Sequence, residues 1–461
     1  MRPLRAAAAA TTVLGAAAAG WLGGGANAQA QPPRRRGSRT AGSRKALAPA
    51  VPRVVWDAPA PPRRSNGLGG AAAVAGAALL GAAGLAIAAG RYGAGAALAG
   101  DRPAGFGDAD VTVLGVAGDR VGGGRVTLGR TPAAELPGTY ALAGPDGTQG
   151  VVGPPIGDAD PGGSRPGHSD PSHSEPSHSD PGSADPLRIV RHLDEAGPGL
   201  RPGARLRLTP QLHTGTPAAL GLTYSDVEIP SEAGTLPAWF VPATRTTWVI
   251  AAHGLGASRE QVFNVLPALH RTGLPVLALG YRGDPGAPDA VVRFGHDEWR
   301  DLDAAVRYAL GQGARHVVLY GWSTGATMAL FAAERSAVKE YVSGLVLDSP
   351  VLDWRAAVRA LAAERGLPRA LARLAELSAE ARTGLDSYDE PVRPALPAVP
   401  TLVIHGPGDT VADWAGSRAL VAGSPDLATL HPVAGGRHAA LWNVDPAAYE
   451  ETLRRFLTPL L

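Results

Sequence analysis

The chain has 461 residues, 61 of them glycine and 42 proline, with no cysteine and 5% aromatics. The missing cysteine excludes a disulfide framework, a thiolate zinc site, an iron–sulfur cluster and a cysteine nucleophile. Forty-three basic residues, all arginine except Lys45 and Lys339, stand against 41 acidic ones, and a net charge of +2 gives no argument for a nucleic-acid partner.

The chain is not uniform along its length. Residues 1–30 carry Arg2 and Arg5, an alanine-rich apolar stretch to about Leu22, and small-residue sites within Ala26–Ala30, which is the outline of a signal peptide. Residues 31–66 are rich in proline and arginine, with nine basic residues against Asp57, so this stretch of the 1–66 segment is expected to form no core. Residues 68–90 then run without a charge. Twenty-three residues at ~1.5 Å rise reach ~34 Å, enough to cross a bilayer. The basic tract before it would hold that side in the cytoplasm. The expectation is one transmembrane helix within 67–92, a membrane anchor with everything beyond it outside the cytoplasm. Secretion after signal cleavage is the alternative.

Residues 93–222 read as a β-rich region. Short apolar runs (Val111–Leu114, Val126–Leu128, Tyr140–Leu142, Val151–Val152, Leu187–Leu193, Ala204–Leu208) are broken by glycine, proline and aspartate. Between them, residues 153–186 are of low complexity, with a five-residue repeat starting at His168, His173 and His178. A tract of histidine and acid invites a metal reading. No regular backbone would hold these imidazoles in place, so a solvated linker is expected and no metal site is assigned.

From Thr223 to the C-terminus the pattern changes to α/β. Strand-like runs at Thr247–Ala252, Val276–Gly280, Val317–Gly321, Gly344–Asp348 and Thr401–His405 alternate with helix-like ones at Glu298–Leu310 and Thr324–Glu334. Near-continuous apolar strands separated by helices predict a mostly parallel sheet covered on both faces. Residues 352–394 are long enough for a helical cap, with helical spacing over Trp354–Arg365 and Leu371–Ala381. The cap's Trp354, Leu361, Leu367, Leu371, Leu374 and Leu377 could line a substrate cleft or simply pack on the sheet.

The chemistry-bearing residues fall at strand ends. Gly321-Trp322-Ser323-Thr324-Gly325 sits between a strand and a helix, and a serine at the apex of so tight a turn needs small residues, Gly321 and Gly325, two before and two after. A serine hydroxyl needs a base to take its proton and an acid to orient that base. His438, in Gly435-Gly436-Arg437-His438, follows the last strand-like run. Asp409, in His405-Gly406-Pro407-Gly408-Asp409, follows the strand Leu402–Ile404. Asp348, at the end of the preceding strand, is a competing acid, though a turn-capping role suits it better. Acyl transfer also needs N–H donors for a developing oxyanion. The backbone N–H groups of Leu255, in His253-Gly254-Leu255-Gly256, and of Thr324 are the expected pair.

These four motifs, in this order, resemble the α/β-hydrolase superfamily over about Thr223–Leu461. The stretch from Trp299 through Ser323 to Pro350 is most similar to the S33-like serine aminopeptidase and carboxylesterase branch. The fused N-terminal half is similar to actinobacterial membrane-anchored hydrolases. The resemblance implies a Ser323–His438–Asp409 triad with an acyl-enzyme, an ester or amide substrate (small molecule, lipid or peptide), and no cofactor. Where the family's plainest pattern has a proline after the acid, this chain reads Thr410-Val411-Ala412-Asp413. Two other readings stand beside hydrolysis: an envelope acyltransferase with the same triad, and a non-catalytic anchored binding protein.

Overall fold

Strand residues that must be covered on both sides carry no polar alternation, and His316–Trp322 buries every side chain after the first. The computed structural model describes residues 84–100, 102–118, 121–145, 147–156, 187–284, 287, 291–385 and 398–461, all within one unit spanning 67–461. The expected signal peptide, the basic tract, residues 67–83 of the expected span and the histidine repeat lie outside the described residues.

Six antiparallel strands close into a barrel: β1 (Asp110–Ala117), β2 (Val121–Gly129), β3 (Tyr140–Gly144), β4 (Gly147–Pro155), β5 (Arg188–Ala196) and β6 (Arg205–Thr209), in the order β1-β2-β5-β4-β3-β6. The apolar runs read from the sequence supply its interior: Val111, Val113, Val126, Leu128, Leu142 and Leu208 are buried together. Closure leaves this sheet without a free edge. Arg191 of β5 is buried, and its guanidinium donates to the carbonyls of Gly153, Ala134, Leu136 and Gly138 at 2.7–2.9 Å. It thereby ties the β2–β3 connection to the barrel, and burial lowers its pKa to about 10.

The second sheet has eight strands: β7 (Ser225–Ser231), β8 (Gly234–Val241), β9 (Thr247–Ala252), β10 (Val276–Leu279), β11 (His316–Trp322), β12 (Val342–Asp348), β13 (Thr401–His405) and β14 (Ala428–Pro432), in the order β14-β13-β12-β11-β9-β10-β8-β7. β9 to β14 pair in parallel, whereas β8 runs antiparallel to both β7 and β10. The β7–β8 hairpin was not among the strands anticipated, because it alternates buried and exposed residues instead of running apolar. Successive side chains point to opposite faces. Leu319 and Ile250 therefore join the core under α3 (Trp299–Gly311) and α4 (Thr324–Arg335). Val318 and Val249 join the other, under α2 (Leu266–Arg271) and α8 (Pro446–Leu457).

Two helices lie within the expected cap 352–394, α5 (Trp354–Glu364) and α6 (Ala372–Thr383), with Asp353 capping α5 through the N–H of Ala356, while its residues 386–394 lie outside the described ones. Glu376 of α6 is buried and ion-paired to Arg355, Arg359 and Arg373, which joins the two cap helices. Trp354 and Leu361 are buried in the cap core, while Leu377 is exposed.

Residues 84–97 form α1, which runs on past Gly90, the expected end of the uncharged segment. Gly90, Gly93, Ala94 and Ala97 are buried. A Cβ would come 2.5 Å from Ser378 Oγ at Gly90 and 2.6 Å from Leu367 Cδ2 at Gly93, so the small residues let α1 lie against α6. Leu85, Ile87 and Tyr92 remain exposed. Among the described residues no helix is long and apolar enough to cross a membrane.

Candidate active site

Every sequence-selected site residue lies at the C-terminal edge of the parallel strands, the edge where open α/β sheets bind ligands. Ser323 joins β11 to α4 with φ 54° and ψ −116°, a region costly for any residue with a Cβ. The turn is this tight because its neighbours lack side chains. A Cβ on Gly321 would sit 2.2 Å from Gly325 O, and one on Gly325 would sit 2.1 Å from Ala252 O. The elbow holds Ser323 at the N-terminus of α4, where the helix dipole favours negative charge.

His438 Nε2 lies 2.7 Å from Ser323 Oγ, and His438 Nδ1 donates to Asp409 Oδ2 at 2.7 Å. All three are buried, Ser323 and His438 with 1% exposure each. Asp409 also accepts from His405 Nε2 at 3.0 Å and, through Oδ1, from the N–H groups of Val411 and Ala412 at 2.8 Å each. Burial alone would raise the Asp409 pKa, but His438 and His405 outweigh it and hold the carboxyl well below the usual range. Burial likewise opposes charge on His438, and Asp409 outweighs it, so the His438 pKa is raised.

Asp348, the competing acid, faces a different set of partners. It accepts from Ser349 Oγ and from Tyr449 OH, both at 2.8 Å, and Tyr449 OH in turn meets Tyr320 OH at 2.6 Å. It ties β12 to α8 and caps no turn, and burial pushes its pKa up to about 6.

The loop after β9 is clamped from several sides. Gly254 N–H donates to Gln261 Oε1 at 2.9 Å, and Tyr281 OH donates to His253 O at 2.9 Å. His253 Nε2 meets Asp284 Oδ2 at 3.2 Å; burial disfavours its charge, but Asp284 outweighs this and raises its pKa. Among the described residues, the N–H groups of Leu255 and Thr324 donate to no protein acceptor, which leaves both free for a ligand.

Sequence reasoning missed one wall of the site. Residues 102–108, between α1 and β1, form a strap across it. Ala104 N–H donates to Leu255 O at 3.3 Å, Gly105 N–H to Glu364 Oε2 at 3.2 Å, and Arg437 Nη1 to Gly105 O at 3.1 Å. Gly105 has φ +84°, and a Cβ there would lie 2.8 Å from His438 Cβ. Thr410 Oγ1 donates to Glu364 Oε1 at 3.0 Å, and burial raises the Glu364 pKa. A cleft of about 690 Å³ is lined by Asp108 of the strap together with Glu364, Leu367, Arg369, Thr410 and Arg437 among others; Ser323 is not among its lining residues. No local signal marked the strap, because its partners lie hundreds of residues away.

Residues 247–367, from β9 through the elbow into the cap, match the family model described as the alpha/beta hydrolase fold. The catalytic domain has the α/β-hydrolase fold. With the match, this identifies a hydrolase. The match contains Ser323 and stops short of Asp409 and His438. Residues 112–164, a stretch that includes β2, β3 and β4, match a domain of unknown function (DUF8805). No curated protein matches the chain. Among solved structures, the α/β-hydrolase domain is similar to the Pyrococcus furiosus esterase Pf2001, at 22% identity and a TM-score of 0.46 over 54% of this chain and 95% of that one. The Xanthomonas campestris protein XC6422, described as an a/b serine hydrolase without lid, gives 19% and 0.38 over 52% and 95%. A Coxiella burnetii alpha-beta serine hydrolase homologue gives 18% and 0.37 over 51% and 97%.

Proposed function

We propose that the protein is a serine hydrolase that cleaves an ester or amide through an acyl-enzyme. Ser323 Oγ attacks the acyl carbon as its proton passes to His438 Nε2. The tetrahedral oxyanion is held by the N–H groups of Leu255 and Thr324. His438 then protonates the leaving alkoxide or amine, and the C–O or C–N bond breaks. Water, deprotonated by His438, attacks the acyl-enzyme and releases the acid and Ser323. Asp409 keeps His438 in the Nδ1–H tautomer and stabilises its charge. The observation that carries this reading is the unbroken line Ser323 Oγ–His438 Nε2 and His438 Nδ1–Asp409 Oδ2, at 2.7 Å each.

The test is Ser323→Ala. It should abolish turnover of p-nitrophenyl esters and labelling by a fluorophosphonate probe while the melting temperature stays near wild type. Labelling that persists would refute the role of Ser323. The finer branch assignment, S33-like peptidase or carboxylesterase, is separated by a panel of esters and aminoacyl amides. Anchoring within the expected 67–92 remains part of the proposal for the residues ahead of Gly90, which itself packs against α6; the uncharged stretch supports it, and carbonate extraction of membranes tests it: release of the whole protein would remove the anchor.

A further inference from the structure

Two imidazoles share one oxygen of Asp409. His438 Nδ1 lies 2.7 Å from Oδ2 and His405 Nε2 lies 3.0 Å from the same atom, while Oδ1 is occupied by the N–H groups of Val411 and Ala412. His405 is the last residue of β13, four before Asp409, and it is fully buried. Its other nitrogen, Nδ1, lies 2.7 Å from Oγ of the fully buried Ser417 in α7 (Trp414–Ala422). The edge-to-face contact with Trp414, 5.6 Å between centroids, holds the ring plane. Neither His405, Ser417 nor Trp414 takes part in the proton transfer between Ser323 and His438.

A carboxylate offers about four lone-pair positions, and a neutral imidazole has one donor and one acceptor nitrogen. A hydroxyl donated by Ser417 to Nδ1 leaves the His405 proton on Nε2, aimed at Asp409. With every position directed, the carboxylate cannot turn away from His438. The second N–H also draws electron density from the oxygen that His438 faces, so it moderates the pull of Asp409 on the His438 proton. We propose that His405 is a positioning residue: with its tautomer selected by Ser417, it fixes Asp409 Oδ2 in line with His438 and sets the basicity of that base. This rests on the reading of Ser323, His438 and Asp409 as the triad. The other ionisable groups facing His438 are Glu364 from α5 and Asp348 from β12, with Arg437 beside it on its own loop. They are unchanged in the variants below.

The experiment follows ester turnover, and the rate of fluorophosphonate labelling, against pH for wild type, His405→Phe, His405→Gln and Ser417→Ala, with melting temperatures for each. His405→Phe keeps the ring volume and removes the donor. It should lower kcat about 10- to 100-fold, by analogy with the loss of an outer partner of a metal-ligating side chain, with KM little changed. It should also move the acid limb to higher pH, since His438 then feels the full pull of Asp409. His405→Gln can donate from Nε2 and should restore most of kcat and the limb. Ser417→Ala should shift both in the same direction by less. A His405→Phe variant with wild-type kcat and limb overturns the proposal. So does a loss of kcat with no limb shift and no rescue by glutamine, which would mark a packing role only. If the phenylalanine variant does not fold, a Ser417→Ala enzyme with unchanged kcat and acid limb overturns it instead. Failure of the triad reading shows separately, as labelling that survives Ser323→Ala.

Discussion

At the scale of single residues, the site separates two buried carboxylates by their partners. Asp409 meets two imidazoles that outweigh its burial and hold it ionised, whereas the hydroxyls on Asp348 do not offset burial, which raises its pKa to about 6. Asp409→Asn should therefore cost about 10⁴ in kcat, the scale for a triad acid whose loss leaves the wrong tautomer. Asp348→Asn should keep kcat within a few-fold. Parallel turnover assays decide the assignment, and the reverse ranking would transfer the acid role to Asp348. A second consequence concerns stability. The folded pKa of Asp348 lies above the 3.8 of an ordinary aspartate, so the folded state binds its proton more tightly than the unfolded state does. Its stabilising contribution is present below about pH 4 and is lost as pH rises through about 6, a change of roughly 3 kcal/mol. Melting curves of Asp348→Asn should show a weaker decline between pH 4 and 6 than wild type. Ser323 and His438 were legible in the sequence because glycine spacing and strand context mark them locally. Asp409 was preferred to Asp348 from its place after the strand and in the motif order, but which donors each carboxylate meets is visible only in the fold.

At the scale of elements, the elbow, the parallel strands and both cap helices follow from local patterns. Apolar runs predict buried strands, and helical spacing predicts α5 and α6 to within two residues of their ends. The strap 102–108 follows from no such pattern. It places the backbone of Gly105 against His438 and leaves no room for a side chain there. Gly105→Ala forces either the strap or the imidazole to move, and a displacement approaching 1 Å in a catalytic group is costly. The expected outcome is labelling by a fluorophosphonate slower by about tenfold or more, with the melting transition still cooperative. An unchanged labelling rate would mean that the strap yields without disturbing His438. α1 behaves in the same way as the strap: its glycines and alanines suggested a lipid-facing segment, and residues 90–97 lie on the cap because small side chains also permit close helix contact.

At the scale of the whole molecule, the barrel is bound to the catalytic domain by specific polar contacts. Asn443 Nδ2 donates to Thr139 O at 2.8 Å and to Pro210 O at 2.9 Å, and Thr139 N–H donates to Asn443 O at 2.8 Å. Gly138 lies close against the same backbone, where a Cβ would fall 2.0 Å from Asn443 O. Asn443→Ala leaves the Thr139 carbonyl without this donor, while Pro210 O keeps the one from Asn264 Nδ2 at 2.9 Å, and should cost about 1–3 kcal/mol. Denaturant unfolding monitors this, and labelling of Ser323 should continue, since the triad contacts are untouched.

The α/β class of the last half, the order of the chemistry-bearing residues along it and the exclusion of thiol chemistry are all readable from the residues alone. Each rests on a local property: hydropathy period, glycine spacing, or the absence of a residue type. The fold alone reveals that the barrel closes, that the strap meets the loop after β9 and His438, that Asp348 turns to Tyr449, and that His405 shares an oxygen with His438. Most of these contacts join residues far apart in the chain, such as Arg437 and Gly105, 332 positions away from one another. His405 and Asp409 are only four residues apart, but their shared oxygen depends on where His438 arrives. Periodicity reports which face of an element is buried and says nothing about what the rest of the chain brings to it.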